Sequence, residues 1–171
     1  DDQSQPIARA IRDLGIEGLL GAAFAVLVVL AFLLSMRMTL ATAMSIPLAL
    51  LIACIGLRVG GQSLNVVTLA GLVVAVGRVV HVSAVVVENI KRRVEAGEHK
   101  FAGIPAAVRE VAGSITISTL ATAVVFAPLA AISGRVGDLF RPFAFAVVVA
   151  SLASLLVALM IVPVFCFWLL D

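Results

Sequence analysis

The stretch that decides the fold is residues 16–35, which read IEGLLGAAFAVLVVLAFLLS. After Glu17 this stretch has no charged side chain, and its length matches the roughly 20 apolar residues that a helix needs to cross a bilayer. Comparable apolar runs follow at about 40–57, 64–90, 114–132 and 142–170. The sequence therefore predicts an all-α fold, a polytopic bundle of about five transmembrane helices in a lipid bilayer.

The composition agrees with this fold and excludes several others. Of the 171 residues, 63% are hydrophobic and 13% are charged, whereas about 25% are charged in an average soluble domain. So few charges cannot form the polar surface of a soluble fold, and intrinsic disorder requires low hydrophobicity. A net charge of +2 without a long basic tract argues against nucleic acid as a partner.

Two segments outside the spans show helical amphipathic patterns. Residues 1–15 are expected to form an amphipathic lead-in, and residues 104–111 a short amphipathic helix on the cytoplasmic surface. The polar start of the chain has no initiator Met and no basic region of the kind that opens a signal peptide. We therefore expect the chain to be part of a longer protein.

Basic residues predict the orientation in the membrane. Arg37 follows the first predicted span, and five Lys or Arg residues lie between residues 91 and 109, after the third. Short loops rich in Lys and Arg stay in the cytoplasm. The turns that hold Arg58 and Arg135 then face outside, so that the chain begins outside and ends inside.

The third predicted span, 64–90, carries ionisable residues within its apolar run. Arg78 and His81 lie three residues apart and share one helix face. Ionisable groups inside a span are costly and tend to mark proton or substrate paths, and histidine exchanges protons near neutral pH. Both are candidate proton-relay residues. The structural alternative is a neutral His81 bonded to a neighbouring helix and an Arg78 bonded to carbonyl groups.

The fourth predicted span is rich in hydroxyl groups. Thr119 and Thr122 lie three residues apart within a polar stripe. Such a stripe can hold helices together, or it can line a proton path beside a titratable residue. With Arg78 and His81, these two threonines complete the candidate site.

Other polar residues point to local structure. Glu88 is expected to form an ion pair with Lys91 or Arg92, and Cys54 and Cys166 are interpreted as small buried hydrophobes. The sequence has no metal-ligand spacing, nucleotide-binding motif or nucleophile–base pair. We therefore predict no cofactor, no metal and no enzymatic activity.

Several motifs occur in a specific order along the chain. The runs SLNVVTLAGL at 63–72, GRVV at 77–80 and VVVENI at 85–90 together resemble the fourth transmembrane helix of the resistance–nodulation–division (RND) efflux permeases. Further segments resemble the second, third, fifth and sixth helices, namely EGLLGA at 17–22, SIPL at 45–48, STLAT at 118–122 and GDLFRPFA at 137–144. The resemblance covers nearly the whole chain and implies helices two to six of the N-terminal half, in the branch that exports hydrophobes and amphiphiles.

The resemblance implies proton-driven export of drugs, lipids or other amphiphiles by a trimer in the bacterial inner membrane. Its partners would be the remainder of the transporter and the neighbouring subunits. The fourth helix of this family carries an adjacent Asp pair that takes up and releases protons, and His81 and Val82 occupy those two positions here. Val82 cannot titrate, and His81 gains a positive charge where aspartate loses a negative one.

Two functions are therefore compatible with the sequence. The first is a membrane segment of a proton-driven efflux transporter whose acidic pair is replaced by His81 and Val82. The alternative is a truncated or degenerate five-helix bundle that serves as a structural or assembly module without transport.

Overall fold

The computed structural model describes residues 4–170, and in this part of the chain every regular element is a helix. A π turn at Val157–Ile161 joins the helix Gly134–Leu156 to the helix Val162–Leu169, so that Gly134–Leu169 forms one long span. Five helices are long and apolar enough to cross a membrane, which confirms the predicted all-α bundle. The helices are α1 (Ser4–Leu33), α2 (Met36–Val59), α3 (Val66–Glu95), α4 (Lys100–Ala131), α5 (Gly134–Leu156) and α6 (Val162–Leu169).

Helix α3 is the centre of the bundle. It packs against α1, α2, α4, α5 and α6. Of its most apolar stretch 56% is buried, against 11% for α1 and for α4. Helix α3 is therefore largely enclosed by other helices, whereas α1 and α4 present most of their surface to the surroundings.

The start of α3 is defined by a capping box. The Asn65 side chain accepts hydrogen bonds from the backbone N–H groups of Val67 and Thr68, at 3.0 and 2.9 Å. The Thr68 hydroxyl in turn accepts from the Asn65 N–H at 2.8 Å. Since free N–H groups at a helix start need partners, this reciprocal pair fixes where α3 begins.

Close contact between α3 and α5 depends on a missing side chain. A Cβ atom at Gly71 would lie 2.8 Å from the Ala146 Cβ and 2.9 Å from the Phe143 carbonyl oxygen. Gly71 is therefore the point at which the backbones of α3 and α5 approach each other, as expected for small residues between transmembrane helices.

The amphipathic segments are continuous with the spans that follow them. Residues 4–15 form the first turns of α1, and 104–111 belong to α4 rather than to a separate surface helix; residues 1–3 of the predicted lead-in lie outside the described part. Gly113 is the only weak helix former between 104–111 and the fourth span. A single glycine costs a helix only about 1 kcal/mol, which does not end it.

Helix α5 begins at Gly134, ahead of the span start predicted at Pro142. The chain folds back tightly here, since a Cβ atom at Gly137 would lie 2.0 Å from the Ile132 carbonyl oxygen. That carbonyl accepts a hydrogen bond of 3.1 Å from the Arg141 Nε. The segment around Arg135, predicted to be a turn, is therefore part of the first turns of α5.

Candidate functional site

The candidate site lies near the middle of α3. His81 is roughly 20 Å along the helix from either end of Val66–Glu95, given the rise per residue. Its side chain is exposed on the outside of the bundle and makes no hydrogen bond in the part of the chain that the structure describes. Arg78, one turn earlier, is partly buried. The two residues share α3 but have different surroundings.

Arg78 extends towards α4. Its Nη2 donates a hydrogen bond to the Thr119 hydroxyl at 3.4 Å, which is longer than a typical N–H···O bond. Thr119 is fully buried, and its hydroxyl donates to the Ile115 carbonyl at 2.8 Å. This contact joins residues 41 positions apart in the sequence.

Two buried polar atoms of α3, one of them in Arg78, lack hydrogen bonds in the part of the chain that the structure describes. The Arg78 Nε and the Ser83 Oγ are buried without a hydrogen-bond partner among residues 4–170. No ion pair in this range includes Arg78. A cation in a membrane span with one N–H group left without a hydrogen bond is costly, so the residues that the structure describes stabilise the Arg78 guanidinium only in part.

Thr122 stands apart from the contact between Arg78 and Thr119. Its hydroxyl donates to the Ser118 carbonyl of its own helix at 3.1 Å, a common arrangement for threonine inside a helix. Of the four predicted site residues, the structure brings Arg78 and Thr119 into contact. It does not link His81 or Thr122 to them by hydrogen bonds.

A second polar cluster lies at the cytoplasmic end predicted for α3. The Glu110 carboxylate of α4 contacts Arg92 and Arg93, each at 2.9 Å. Buried Asn89 donates from its Nδ2 to the Ala107 carbonyl at 2.8 Å and to Glu110 at 3.1 Å. These bonds hold the first turns of α4 against the last turns of α3.

Three more contacts extend this cluster. Arg93 also pairs with Glu98 in the turn between α3 and α4, at 2.9 Å. Lys91 donates to the Leu33 carbonyl at the end of α1 and lies 3.6 Å from Glu95. The cluster therefore connects three helices on one side of the bundle.

The interpretation of Glu88 was wrong. Glu88 is exposed, and within residues 4–170 it pairs with neither Lys91 nor Arg92. Arg92 instead reaches Glu110, 18 positions away. The sequence indicated the contact between Arg92 and Glu110 only through the opposite charges on the two sides of the turn at Gly97. Which of these charges pair depends on how α3 and α4 are rotated against each other.

Comparison with known proteins assigns the chain to a family. The sequence profile of the AcrB/AcrD/AcrF family matches residues 1–171. The chain is 39% identical over 165 residues to the swarming motility protein SwrC of Bacillus subtilis (strain 168), covering 95% of this chain and 16% of that protein.

Several relatives are named multidrug resistance protein MdtC, two of which follow. The protein from Yersinia pseudotuberculosis serotype O:1b (strain IP 31758) is 36% identical over 169 residues, which is 99% of this chain and 16% of the relative. The one from Pantoea ananatis (strain AJ13355) is 36% identical over 170 residues, with 99% and 17% covered. The chain thus spans about a sixth of the length of these relatives. Because the family profile matches from the first residue to the last, the chain belongs to the AcrB/AcrD/AcrF family of RND permeases, and the resemblance drawn from its motifs is confirmed.

Proposed function

We propose that this chain is a membrane segment of a proton-driven RND efflux transporter of the bacterial inner membrane, which exports drugs or other amphiphiles. The observation that carries the proposal is the family match over residues 1–171. The name of the MdtC relatives, multidrug resistance protein, supports the class of substrate. Since the chain spans about a sixth of these relatives, the remainder of the transporter and neighbouring subunits of a trimer would supply the substrate path.

Within this segment, we assign proton exchange to His81. Its imidazole is in the middle of a span and exposed on the outside of the bundle, where water or another helix can reach it. Arg78 is one turn away on the same helix, and the hydroxyls of Thr119 and Thr122 lie on α4. No acidic residue occurs between positions 18 and 87 or between 111 and 137. His81 is thus the one side chain in the interior of these spans of a type that commonly relays protons near neutral pH.

The test is proton flux through the intact transporter, reconstituted in liposomes that contain a pH-sensitive dye. We expect His81→Ala to reduce substrate-dependent proton flux at least several-fold. His99→Ala is the matched control, because His99 lies in the turn between α3 and α4, outside the helices that can span the membrane, and stacks on Phe101 at the start of α4. A His81→Ala variant that assembles normally and keeps full flux would refute the relay.

The second candidate is a structural or assembly module without transport. It is favoured by the resemblance, which places the acidic pair of the family at His81 and Val82. Val82 is buried, and its side chain has no group that takes up or releases a proton. The same assay separates the two functions. Two results together would support the module: the transporter with the unsubstituted segment carries no proton flux, and removal of the segment prevents the transporter from assembling.

A further inference from the structure

A cavity of about 470 Å³ lies between α1 and α2 and is also lined by residues 69–76 of α3. We call it the α1–α2 groove. Its walls are apolar side chains and glycines, among them Leu14, Gly18 and Ala22 of α1 and Ile46, Leu50 and Cys54 of α2. A volume of this size is typical of ligand sites. Leu19, which also lines the groove, is 72% exposed, so the groove is open to the surroundings of the bundle.

The groove exists because α1 packs mainly against α3 and less against α2. An added Cβ at Gly18 would lie 3.1 Å from the Val73 Cγ2, so the missing side chain lets α1 approach α3. On the other wall, Pro47 of α2 has no N–H group to donate within its helix. The space that remains between α1 and α2 is accessible to an apolar chain from outside the bundle.

A second cavity continues the groove at the end of α2. Cys54 lines both cavities, and the second is also lined by Arg58, Gln62 and Ser63. Their guanidinium, amide and hydroxyl groups can all donate hydrogen bonds. Arg58 is exposed and forms no ion pair within residues 4–170. One end of the groove thus presents a cation and two further donors.

No acidic side chain of the described residues lines either cavity. Asp13 and Glu17 of α1 are close to the groove in sequence, but both are exposed and neither contributes to the linings. Arg58 is the one charged residue, among those that the structure describes, in the walls of the two cavities. An apolar interior with a positive end is complementary to an amphiphile with a negative headgroup.

The length of the groove matches one leaflet of a bilayer. Pro47, at its inner end, lies near the middle of α2 (Met36–Val59). The rise of a helix separates Pro47 from Arg58 by about 16 Å. The hydrocarbon core of a bilayer is about 30 Å thick, so one leaflet contributes roughly 15 Å. A chain that enters beside Arg58 therefore ends near the bilayer midplane.

We propose that the α1–α2 groove binds an anionic glycerophospholipid, with its phosphate at Arg58 and one acyl chain along the apolar walls. Arginine binds phosphate oxygens through two parallel N–H donors, whereas a zwitterionic headgroup brings its own cation to the same place. The outer leaflet supplies the lipid, because the positive-inside rule places the turn between α2 and α3 outside. The site shares no residue with the proton exchange assigned to His81.

The experiment is photolabelling of the intact, detergent-purified transporter with phosphatidylglycerol that carries a diazirine at the end of one acyl chain. Phosphatidylcholine with the same chain is the comparison. After irradiation and digestion, labelled peptides are identified by mass spectrometry. We expect the phosphatidylglycerol probe to label peptides that contain residues 19–22 or 46–50, several-fold more than the phosphatidylcholine probe does.

Two matched variants test the headgroup contact. Arg58→Gln should reduce this labelling several-fold. Arg135→Gln should leave it unchanged, because Arg135 is also an exposed arginine without an ion pair in the described chain and lies at the start of α5, on the side predicted to face outside.

Three outcomes would overturn the proposal. They are equal labelling by the two probes, unchanged labelling of Arg58→Gln, and label confined to other transmembrane segments, which would mean that another helix fills the groove. Because photolabelling needs no transport, its result is independent of the proton-flux assay. A transporter that moves no protons can still give the expected labelling.

A second measurement covers the case in which Arg58→Gln disturbs the fold. Thermal midpoints are recorded with and without added phosphatidylglycerol, which should raise the midpoint by several degrees because it binds the folded state. Arg58→Lys keeps the positive charge and should keep most of that rise, whereas Arg58→Gln should lose most of it, whatever its midpoint without lipid. An equal rise in all three proteins, or an equal rise with phosphatidylcholine, would contradict the site.

Discussion

At the scale of single residues, the central question is how a membrane span tolerates Arg78. The structure provides one hydroxyl, that of buried Thr119, and leaves the Arg78 Nε unsatisfied within residues 4–170. Thr119 meets this guanidinium while keeping its bond to the Ile115 carbonyl. The two threonines of the hydroxyl-rich stripe on α4 therefore differ. Thr119 accepts a hydrogen bond from α3, whereas the Thr122 hydroxyl bonds only within α4.

This difference predicts unequal effects of two matched substitutions. Thr119→Val removes a partner of Arg78 and should destabilise the protein by about 1–2 kcal/mol, because a charged donor is left unsatisfied. Thr122→Val should have an effect within about 0.5 kcal/mol. The check is the midpoint temperature at which the detergent-solubilised transporter loses its monodisperse peak in size-exclusion chromatography. Equal midpoints for the two variants would show that the bond between Arg78 and Thr119 does not contribute.

At the scale of helices, packing and polar contacts act at different ends of α3. The α3–α5 contact is close at Gly71 because neither Ala146 nor the Phe143 carbonyl leaves room for a side chain. The opposite end is held to α4 by Asn89 and by the arginines that share Glu110. Ion pairs as exposed as these contribute little individually, so the buried amide of Asn89 provides the more specific contact.

The contact at Gly71 can be tested with one methyl group. Gly71→Ala should destabilise the protein by about 1–3 kcal/mol, since overpacking forces two backbones apart. Gly113→Ala is the control, because Gly113 lies inside α4 and an added Cβ there meets nothing within 4 Å. That variant should keep or slightly raise the thermal midpoint, as alanine favours a helix over glycine. A Gly71→Ala variant as stable as the control would mean that α3 and α5 are not in close contact.

At the scale of the whole molecule, the loops with most basic residues mark one side of the bundle. The turn between α3 and α4 is flanked by Lys91, Arg92 and Arg93. The turn between α2 and α3 has the single Arg58 nearby. According to the positive-inside rule, the turn between α3 and α4 faces the cytoplasm, and the turn between α2 and α3 faces outside.

Cysteine accessibility tests this orientation. The background is a transporter from which all cysteines, Cys54 and Cys166 among them, have been removed by substitution. In this background, Ser63→Cys and Ala96→Cys each place a single thiol at an exposed position in one of the two turns. A membrane-impermeant maleimide added to spheroplasts should label Ser63→Cys. It should label Ala96→Cys only after the membrane is broken. The reverse pattern would invert the topology.

The number and type of the elements were predictable from the sequence alone, because a helix that crosses a membrane requires an uninterrupted apolar run of a certain length, and that is a property of consecutive residues. The sequence also located the ionisable residues of α3 and, through ordered motifs, the family. Helix ends were less predictable, as at Gly134, where the start of α5 depends on the close approach of Gly137 to Ile132.

Only the tertiary structure decided which polar groups meet. It brings Arg78 into contact with Thr119, joins Asn89 and Arg92 to Glu110, and leaves His81 on an exposed face of α3. These contacts join positions 18 to 41 residues apart, and they depend on the rotation and height of each helix against its neighbour. Packing of the apolar side chains fixes both quantities, so no local pattern in the sequence contains them.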